Sequence, residues 1–449
     1  MQQLEEHPSV VSYRRSSHRP ADGPAVLDAE WLKQLCLEAG ADDAGFVEVG
    51  RSDMDGDRAD ILQALPGARS LIAIVCRMNR GSIRSTHRAS ANLEFHHTGD
   101  AVNEAARRVV AVLEARGVRA MNPSMGFPME MDRWGKGKTW TVSHKKVAVA
   151  AGLGRMGIHR NVIHPRFGSF VLLGTILIDA EVSQYNRPID YNPCLECKLC
   201  VAACPTGAIH ADGYFDFSAC TTHNYREFMG GFTDWVGQVV SSKNVQDYTR
   251  RVSEPETVSM WQSLSFGANY KAAYCISVCP AGDDVIGPFL ENRPAFLDTV
   301  VRPLQEKEET VYVLADSDAE KHVLRRFKNK KVKRVGNGLS VISAKQFLRS
   351  LPLIFQRGAA AGLEAAYHFV FHGEEEISAT VMIRNQSLQV VSGCQGRADL
   401  VVEADSRAWV GFLRHEKSLL AALLLRKIKV RGPLKLLRAF AKCFPAQDR

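Results

Sequence analysis

The stretch from Cys194 to Pro205, CLECKLCVAACP, and a shorter echo, CISVCP, from Cys275 to Pro280 constrain this chain more than any other feature. Cys194, Cys197, Cys200 and Cys204, with Pro205 behind them, reproduce the C-x2-C-x2-C-x3-C-P run that holds bacterial iron–sulfur clusters. Three thiolates of such a run grip three corners of one cluster, and the fourth points away to serve another. A distant part of the chain must therefore supply the missing corner. Cys279, just before Pro280, is placed to complete the cluster begun by Cys194, Cys197 and Cys200. Cys204 then joins Cys220 and Cys275 on a second cluster. Structural zinc is the other reading of clustered cysteines, but it uses two separated C-x2-C pairs rather than one dense run closed by proline.

Seven of the eleven cysteines fall into this pattern, which suits a reducing compartment. Cys36, Cys76, Cys394 and Cys443 stand apart and are expected to be buried small hydrophobes. A chain of 449 residues exceeds one ordinary domain and fits about three. No apolar run is long enough to span a bilayer and Met1 to Pro24 is polar, so a cytoplasmic location is expected. The formal net charge is +8, with a local concentration from Arg325 to Arg334. Such a run could attract phosphate or an anionic surface, and the expectation is a solvated linker face. No nucleic-acid motif accompanies it.

Leu27 to Gly40 has the apolar spacing of a helix, with Asp28 as N-cap and Gly40 as stop. Ala44 to Val49 and Leu71 to Cys76 have strand length, and Asp100 to Arg116 returns to a helical period. Alternation of this kind implies an α/β layer. A helix from about Ser143 to Ala151 ends in Gly152-Leu153-Gly154, with Gly157 close behind, and FGSFVLLGTILID (Phe167 to Asp179) follows as a strand. The Gly-x-Gly-x-x-Gly spacing closes a helix instead of opening one, which argues against a dinucleotide fold. Without side chains, the glycines allow backbone to approach something flat and bulky. After the second cysteine motif comes a charged connector with some strand of its own. Tyr367 to Phe371, Ile377 to Ile383, Leu388 to Val391 and Leu400 to Val402 then form a sheet, with turns at Gly373 and near Asn385. Helices follow at Ser406 to Arg414, Ser418 to Leu425 and Leu434 to Phe444. Their apolar faces exceed what a module of this size needs for its own core.

The run AGLGRMGIHRNVIHPRFGSFVLLGTILID, Ala151 to Asp179, followed by Cys194 to Pro205, Cys220 and Cys275 to Pro280, resembles epoxyqueuosine reductases and, more loosely, cobalamin-dependent reductive dehalogenases. The resemblance covers roughly residues 140 to 290. It implies that the glycine segment and the next strand line a cavity for base-off cobalamin. Gly152, Gly154 and Gly157 would then face the corrin, with His159, Asn161 and Ser169 as polar groups around it. Two departures stand out. The echo motif has Ala272 where the family has a cysteine, so the second cluster keeps three cysteines and is either a three-iron cluster or borrows a ligand such as His223. The family's acidic proton donor falls near Lys138, with no carboxylate between Asp132 and Gly152, so reduction of queuosine in tRNA is not expected. Lys138 or His144 could serve as a general acid; the other reading makes Lys136, Lys138, Lys145 and Lys146 surface charges. The segment from about 346 to 447 resembles the sterol-carrier-protein lipid-binding domain through YHFVFHG, ISATVMIRN, ADLVVEADSRAWVGFL and LLLRKIKVRGPLKLLRAF.

The expected architecture is multi-domain, α/β and α+β. A polar tail (1–25) precedes an α/β cofactor-binding core (26–185), a ferredoxin-like iron–sulfur module (186–300), a charged linker (301–345) and a sterol-carrier-like lipid-binding domain (346–449). The leading functional expectation is an iron–sulfur reductase. In it a low-potential donor feeds two clusters, one of four irons and one of four or three, which reduce cobalamin and through it an apolar substrate. The rival is a non-catalytic, ferredoxin-like electron carrier attached to a lipid-binding or docking domain.

Overall fold

The computed structural model describes residues 2–15, 23–135, 137–336 and 340–445. Helix α1 (Ala29–Glu38) starts where the Asp28 carboxylate accepts a hydrogen bond from the Trp31 amide at 2.8 Å. Gly40, at φ +113°, ends the turn that follows it. Strands β1 (Asp43–Glu48) and β2 (Ser70–Arg77) come next, then the long helix α2 (Arg88–Ala115), the short β3 (Ala120–Met121), α3 (His144–Ala150) and β4 (Val171–Ile178). The strands form one antiparallel sheet in the order β1-β2-β4-β3, with Ala73 opposite Gly45 on one side and Thr175 on the other. Ile72, Ile74 and Cys76 face α1 and α2 through Leu32, Cys36, Val102 and Val109. Leu71, Ala73 and Val75 face α3 through Val147, Ala148 and Ala150. Helices cover both faces, so these strands read as unbroken apolar runs rather than alternating ones. Helix α2 begins twelve residues before the periodicity suggests. Its first turns are held by polar contacts as well: Asn92 Oδ1 accepts from the Tyr270 amide at 2.8 Å, and its Nδ2 donates to the Tyr270 carbonyl at 3.3 Å.

The cysteine region is built on short helices: α4 (Leu199–Ala203), α5 (Phe217–His223), α6 (Gly231–Ser241), α7 (Val245–Arg251), α8 (Glu254–Phe266) and α9 (Tyr274–Ser277). The charged stretch beyond it is more than a connector. Strand β5 (Thr310–Val313), helix α10 (Asp318–Arg326) and strand β6 (Lys331–Arg334) form a βαβ unit with parallel strands. Val311, Val313, Ala319 and Val323 pack on Ala208 and Ala219 and against Cys204 and Cys220. Lys330, expected on a solvated face, is buried, with its ammonium 2.7 Å from the Glu309 carboxylate and 3.2 Å from the Leu304 carbonyl. Charge density hid this unit because each strand has only four residues and three of the four in β6 are Lys or Arg.

The carboxyl-terminal part runs α11 (Ala344–Ile354), β7 (Ala365–His372), β8 (Ile377–Arg384), β9 (Ser387–Ser392), β10 (Leu400–Asp405), α12 (Ser406–Leu413), α13 (Leu419–Leu424), β11 (Ile428–Arg431) and α14 (Leu434–Cys443). Strand order is β9-β8-β7-β10-β11, parallel at β7/β10 and antiparallel elsewhere. Asn385 and Gln386, both left-handed at φ +49° and +56°, make the two-residue turn between β8 and β9. Phe347, Phe369, Phe371, Trp409 and Phe440 fill the core between sheet and helices. This part is tied to the cysteine region by Tyr214 Oη donating to the Phe355 carbonyl at 3.1 Å, and to α10 by the Asp318 amide donating to Gln356 Oε1 at 2.7 Å. Cys36, Cys76 and Cys443 are buried as expected, but Cys394 is exposed, in the turn after β9. Among the described residues no helix is long and apolar enough to cross a membrane.

Candidate iron–sulfur centre

The two cysteine motifs share one local geometry. Lys198, at φ +62°, precedes α4, and Ala273, at φ +53°, precedes α9. A left-handed backbone is unfavourable for residues with a Cβ, so its recurrence marks a constrained loop that turns sharply into each helix. Cys200 and Cys275 each sit two residues after the left-handed residue, and Cys204 and Cys279 four residues later, before proline. By this correspondence Ala272 occupies the place of Cys197. Its amide and that of Ala273 both donate to Asn224 Oδ1, at 3.1 and 2.7 Å.

Cys194, Cys197, Cys200 and Cys279 line one small cavity, together with His159 and Ala281. The distant echo motif thus brings Cys279 to the three cysteines of the dense run. Cys204 and Cys220 pack together under β5 and α10, and Cys275 lies close enough to both to raise the Cys220 thiol. Burial pushes the Cys279 thiol up to about 11 and that of Cys275 up to about 12, with neighbouring cysteines adding to both. Burial likewise raises Cys197, Cys200 and Cys220. Such thiols resist ionisation unless cations compensate them, and iron supplies that compensation. Among the described residues, no three His, Cys, Asp or Glu side chains are grouped to hold a single metal ion.

Cations and donors surround the cysteines. Lys145 Nζ donates to the Arg160 carbonyl at 2.7 Å and to Asn161 Oδ1 at 3.0 Å, and Asn161 Nδ2 in turn lies 3.8 Å from Cys275 Sγ. Lys145, expected at the surface, is half-buried and held toward the cysteines, while Lys136, expected there with it, lies outside the described residues; burial lowers the Lys145 pKa, and Cys275 and Cys220 oppose that. Arg84, whose Nε donates to the Ser277 carbonyl at 3.3 Å, lies over the Phe170 and Phe296 rings and keeps one terminal nitrogen unpartnered among the described residues. Arg88 lies over the Tyr274 ring with two guanidinium nitrogens likewise unpartnered. These groups suit an anionic cluster, whose sulfurs accept hydrogen bonds and whose negative charge needs a counterpart.

The residues assigned to a corrin are turned elsewhere. A Cβ on Gly152 would lie 2.5 Å from the Arg187 carbonyl oxygen, and one on Gly154 would lie 2.3 Å from that of Ile163. The close approach these glycines permit is to the chain's own backbone. Gly157 is likewise closed in by Ile163 and His159. Buried His159 is neutral, its pKa pushed down to about 4 by burial and then by Lys145. Its Nδ1 accepts from the Asn161 amide at 3.1 Å, which places the proton on Nε2, an atom without a partner among the described residues. Ser169 Oγ donates to the Ile276 carbonyl at 3.3 Å and lies beside Cys279. His159, Asn161 and Ser169 are thus neighbours of the cysteines, and the glycine segment as it stands does not fit a corrin.

The two suggested acids are also occupied. Lys138 pairs with the buried Asp57 carboxylate and the Gly56 carbonyl. His144 Nδ1 is 2.9 Å from Thr175 Oγ1 and its Nε2 is 3.0 Å from the Ser124 carbonyl, while burial lowers its pKa. Both tie the loop before α3 to the core. His223 Nδ1 accepts from the Tyr312 amide at 3.4 Å, and the charges acting on it are Glu309, Lys271, Lys330 and Lys307. Arg84 and Arg88 carry no signal in the sequence and Lys145 reads there as a surface charge, because cations scattered over three helices have no fixed spacing.

The 4Fe-4S binding domain family matches residues 187–210, and the SCP-2 sterol transfer family matches residues 348–445. An epoxyqueuosine reductase of Gloeobacter violaceus is 29% identical over 199 residues, covering 44% of this chain and 58% of its own length. One of Cyclobacterium marinum is 35% identical over 103 residues, covering 21% of this chain and 33% of its own. The chain thus spans between a third and somewhat more than half of these relatives. A crystal structure of selenomethionine-labelled epoxyqueuosine reductase aligns with TM-score 0.32 and 22% identity over 45% of this chain and 60% of its own. A structure of a reductive dehalogenase, described as suggesting a mechanism for B12-dependent dehalogenation, aligns with TM-score 0.33 and 18% identity over 43% and 27%. Over part of its length the chain resembles the epoxyqueuosine reductases, and it joins to that part a segment matching the SCP-2 sterol transfer family.

Proposed function

We propose that the chain is an iron–sulfur oxidoreductase that moves electrons one at a time through two clusters. Cys194, Cys197, Cys200 and Cys279 hold a four-iron cluster, and Cys204, Cys220 and Cys275 hold the second. The observation that carries this reading is the shared cavity of Cys279 with the three cysteines of the dense run. Reciprocal exchange of one ligand between motifs fixes two clusters in a single rigid frame, which suits sequential electron transfer. Lys145, Arg84, Arg88 and the Nε2 proton of His159 hold the cysteine sulfurs in a field that favours added negative charge.

The finer reading makes the electron acceptor a corrinoid and the substrate apolar. Likeness to epoxyqueuosine reductases supports the first, while the glycine segment, closed on the chain's own backbone, offers a corrin no face. The SCP-2 match supports the second, as does Trp409, whose buried Nε1 proton has no acceptor among the described residues and lies amid Phe347, Phe369 and Phe371. A largely apolar ligand with one oxygen would satisfy it. Anaerobic titration of the iron-reconstituted protein with cobalamin, followed by electron paramagnetic resonance, tests the acceptor. A base-off cob(II)alamin signal supports the corrinoid, and its absence with intact cluster signals removes it and leaves a separate acceptor.

A further inference from the structure

The carboxyl-terminal segment carries a surface that neither the clusters nor a ligand inside the fold uses. In α13, Ala422 is buried and Leu419 and Leu423 pack on the core, so the inner face of the helix is fixed. The outer face is bare: Leu420 and Leu424, one turn apart, are 72% and 84% exposed, and Leu425 beside them is 69% exposed. Leu434, at the start of α14, is 64% exposed. Leucines left in water at this density mark a surface that meets something apolar.

The same segment concentrates the chain's positive charge. From Gly411 to Phe444 there are nine Lys and Arg against one Glu, a local net charge of +8 that equals the formal net charge of all 449 residues. Arg414 and Arg431 pair with Glu416 and Glu403. Lys417, Arg426, Lys427, Lys429, Lys435 and Arg438 are exposed and have no carboxylate partner among the described residues. Lys417 and Arg426-Lys427 bracket α13 at its two ends, so the exposed leucines lie between cations.

We infer that the outer face of α13, with the start of α14, docks on an anionic lipid bilayer. Leucines inserted at the headgroup boundary and lysines and arginines held at phosphate level are the arrangement that binds such surfaces. An acidic nucleic acid fits less well. Its phosphates would use the cations but leave the leucines in water, and among the described residues the segment has no exposed Phe, Tyr or Trp to offer stacking. This inference does not depend on the redox reading.

The test is flotation of the full chain with phosphatidylcholine vesicles, with and without about one-third phosphatidylglycerol. Binding to the anionic vesicles alone, weakened by salt, is expected. Leu424→Ser should weaken it about tenfold at unchanged charge, and Arg426→Ser with Lys427→Ser about twentyfold together. Leu424 is almost fully exposed, so its variant should melt as the parent does, and the charge variant gives a second reading that leaves the leucines in place. Equal binding to neutral vesicles, no binding to either, or anionic binding indifferent to Leu424→Ser would overturn the inference. So would a lipid-free dimer that Leu424→Ser dissociates, since a second copy would then cover the face, or tighter binding to RNA than to the anionic vesicles.

Discussion

Lys145 is the cation whose removal reads most directly on the second cluster. Its Nζ lies 3.0 Å from Asn161 Oδ1, and Asn161 Nδ2 lies 3.8 Å from Cys275 Sγ. The amide between them places the ammonium on the order of 8 Å from the sulfur; at an effective dielectric of about 20 that separation is worth about 2 kcal/mol for a unit charge. For a one-electron couple this corresponds to about 90 mV, because a tenfold change in equilibrium is about 59 mV. Reduction adds negative charge, so the ammonium favours the reduced cluster. Lys145→Met should therefore lower the midpoint potential of the second cluster by about 90 mV and move the first by less than half as much. A redox titration of the iron-reconstituted protein followed by electron paramagnetic resonance measures both. Asn161→Leu, which removes the amide proton aimed at Cys275 and keeps the lysine, should give a smaller downward shift. An upward shift, no shift, or equal shifts of the two clusters in Lys145→Met would refute the placement of the second cluster beside Lys145.

Three further outcomes follow from the buried polar groups. Arg226 is 2.6 Å from the Asp234 carboxylate and lies over the Tyr312 ring, all three buried, so Arg226→Met should cost about 3–5 kcal/mol in urea unfolding. Adding Asp234→Asn should return part of that, because the stranded charge is gone. Burial pushes the Glu309 carboxyl up, but the Lys330 ammonium and hydrogen bonds from Lys330 and Tyr274 outweigh it and hold the group below the usual carboxylate range. A depressed folded pKa contributes stability that is present above the unfolded value of about 4.3 and is lost as pH falls through the folded one. Acid unfolding of Glu309→Gln should accordingly show a shallower loss of stability below about pH 4.3 than the parent. Trp409→Phe should weaken binding of a fluorescent fatty acid by about fivefold to tenfold, measured by displacement, if the indole proton meets the ligand's oxygen.

Local chemistry was legible wherever it repeats at fixed spacing. The seven cysteines, Asp28 as a cap, the strands at Ile72 and Ile176 and the turn at Asn385 all announce themselves through period or residue type. Contacts made across the chain were not. Gly152 and Gly154 looked free to meet a ligand, and only the fold shows the Arg187 and Ile163 carbonyls in that space. Lys138 and Lys145 stand seven residues apart in one basic stretch, yet one neutralises buried Asp57 and the other reaches the cysteines. Both are half-buried, so only the partner separates them, and a lysine's type says nothing about a partner that lies far away in sequence. The βαβ unit of β5, α10 and β6 was hidden for a related reason. Its strands have four residues each, and Lys330, the most buried of its cations, is matched to Glu309 rather than to water.

The central claim is the exchange of one ligand between the two cysteine motifs, and Cys279→Ser tests it most directly. Electron paramagnetic resonance of the reduced, iron-reconstituted variant should show the four-iron cluster of Cys194, Cys197 and Cys200 lost or altered, with the signal of the cluster at Cys204, Cys220 and Cys275 unchanged. Loss of the latter signal with the former intact would mean that each motif holds its own cluster, and the account would be wrong.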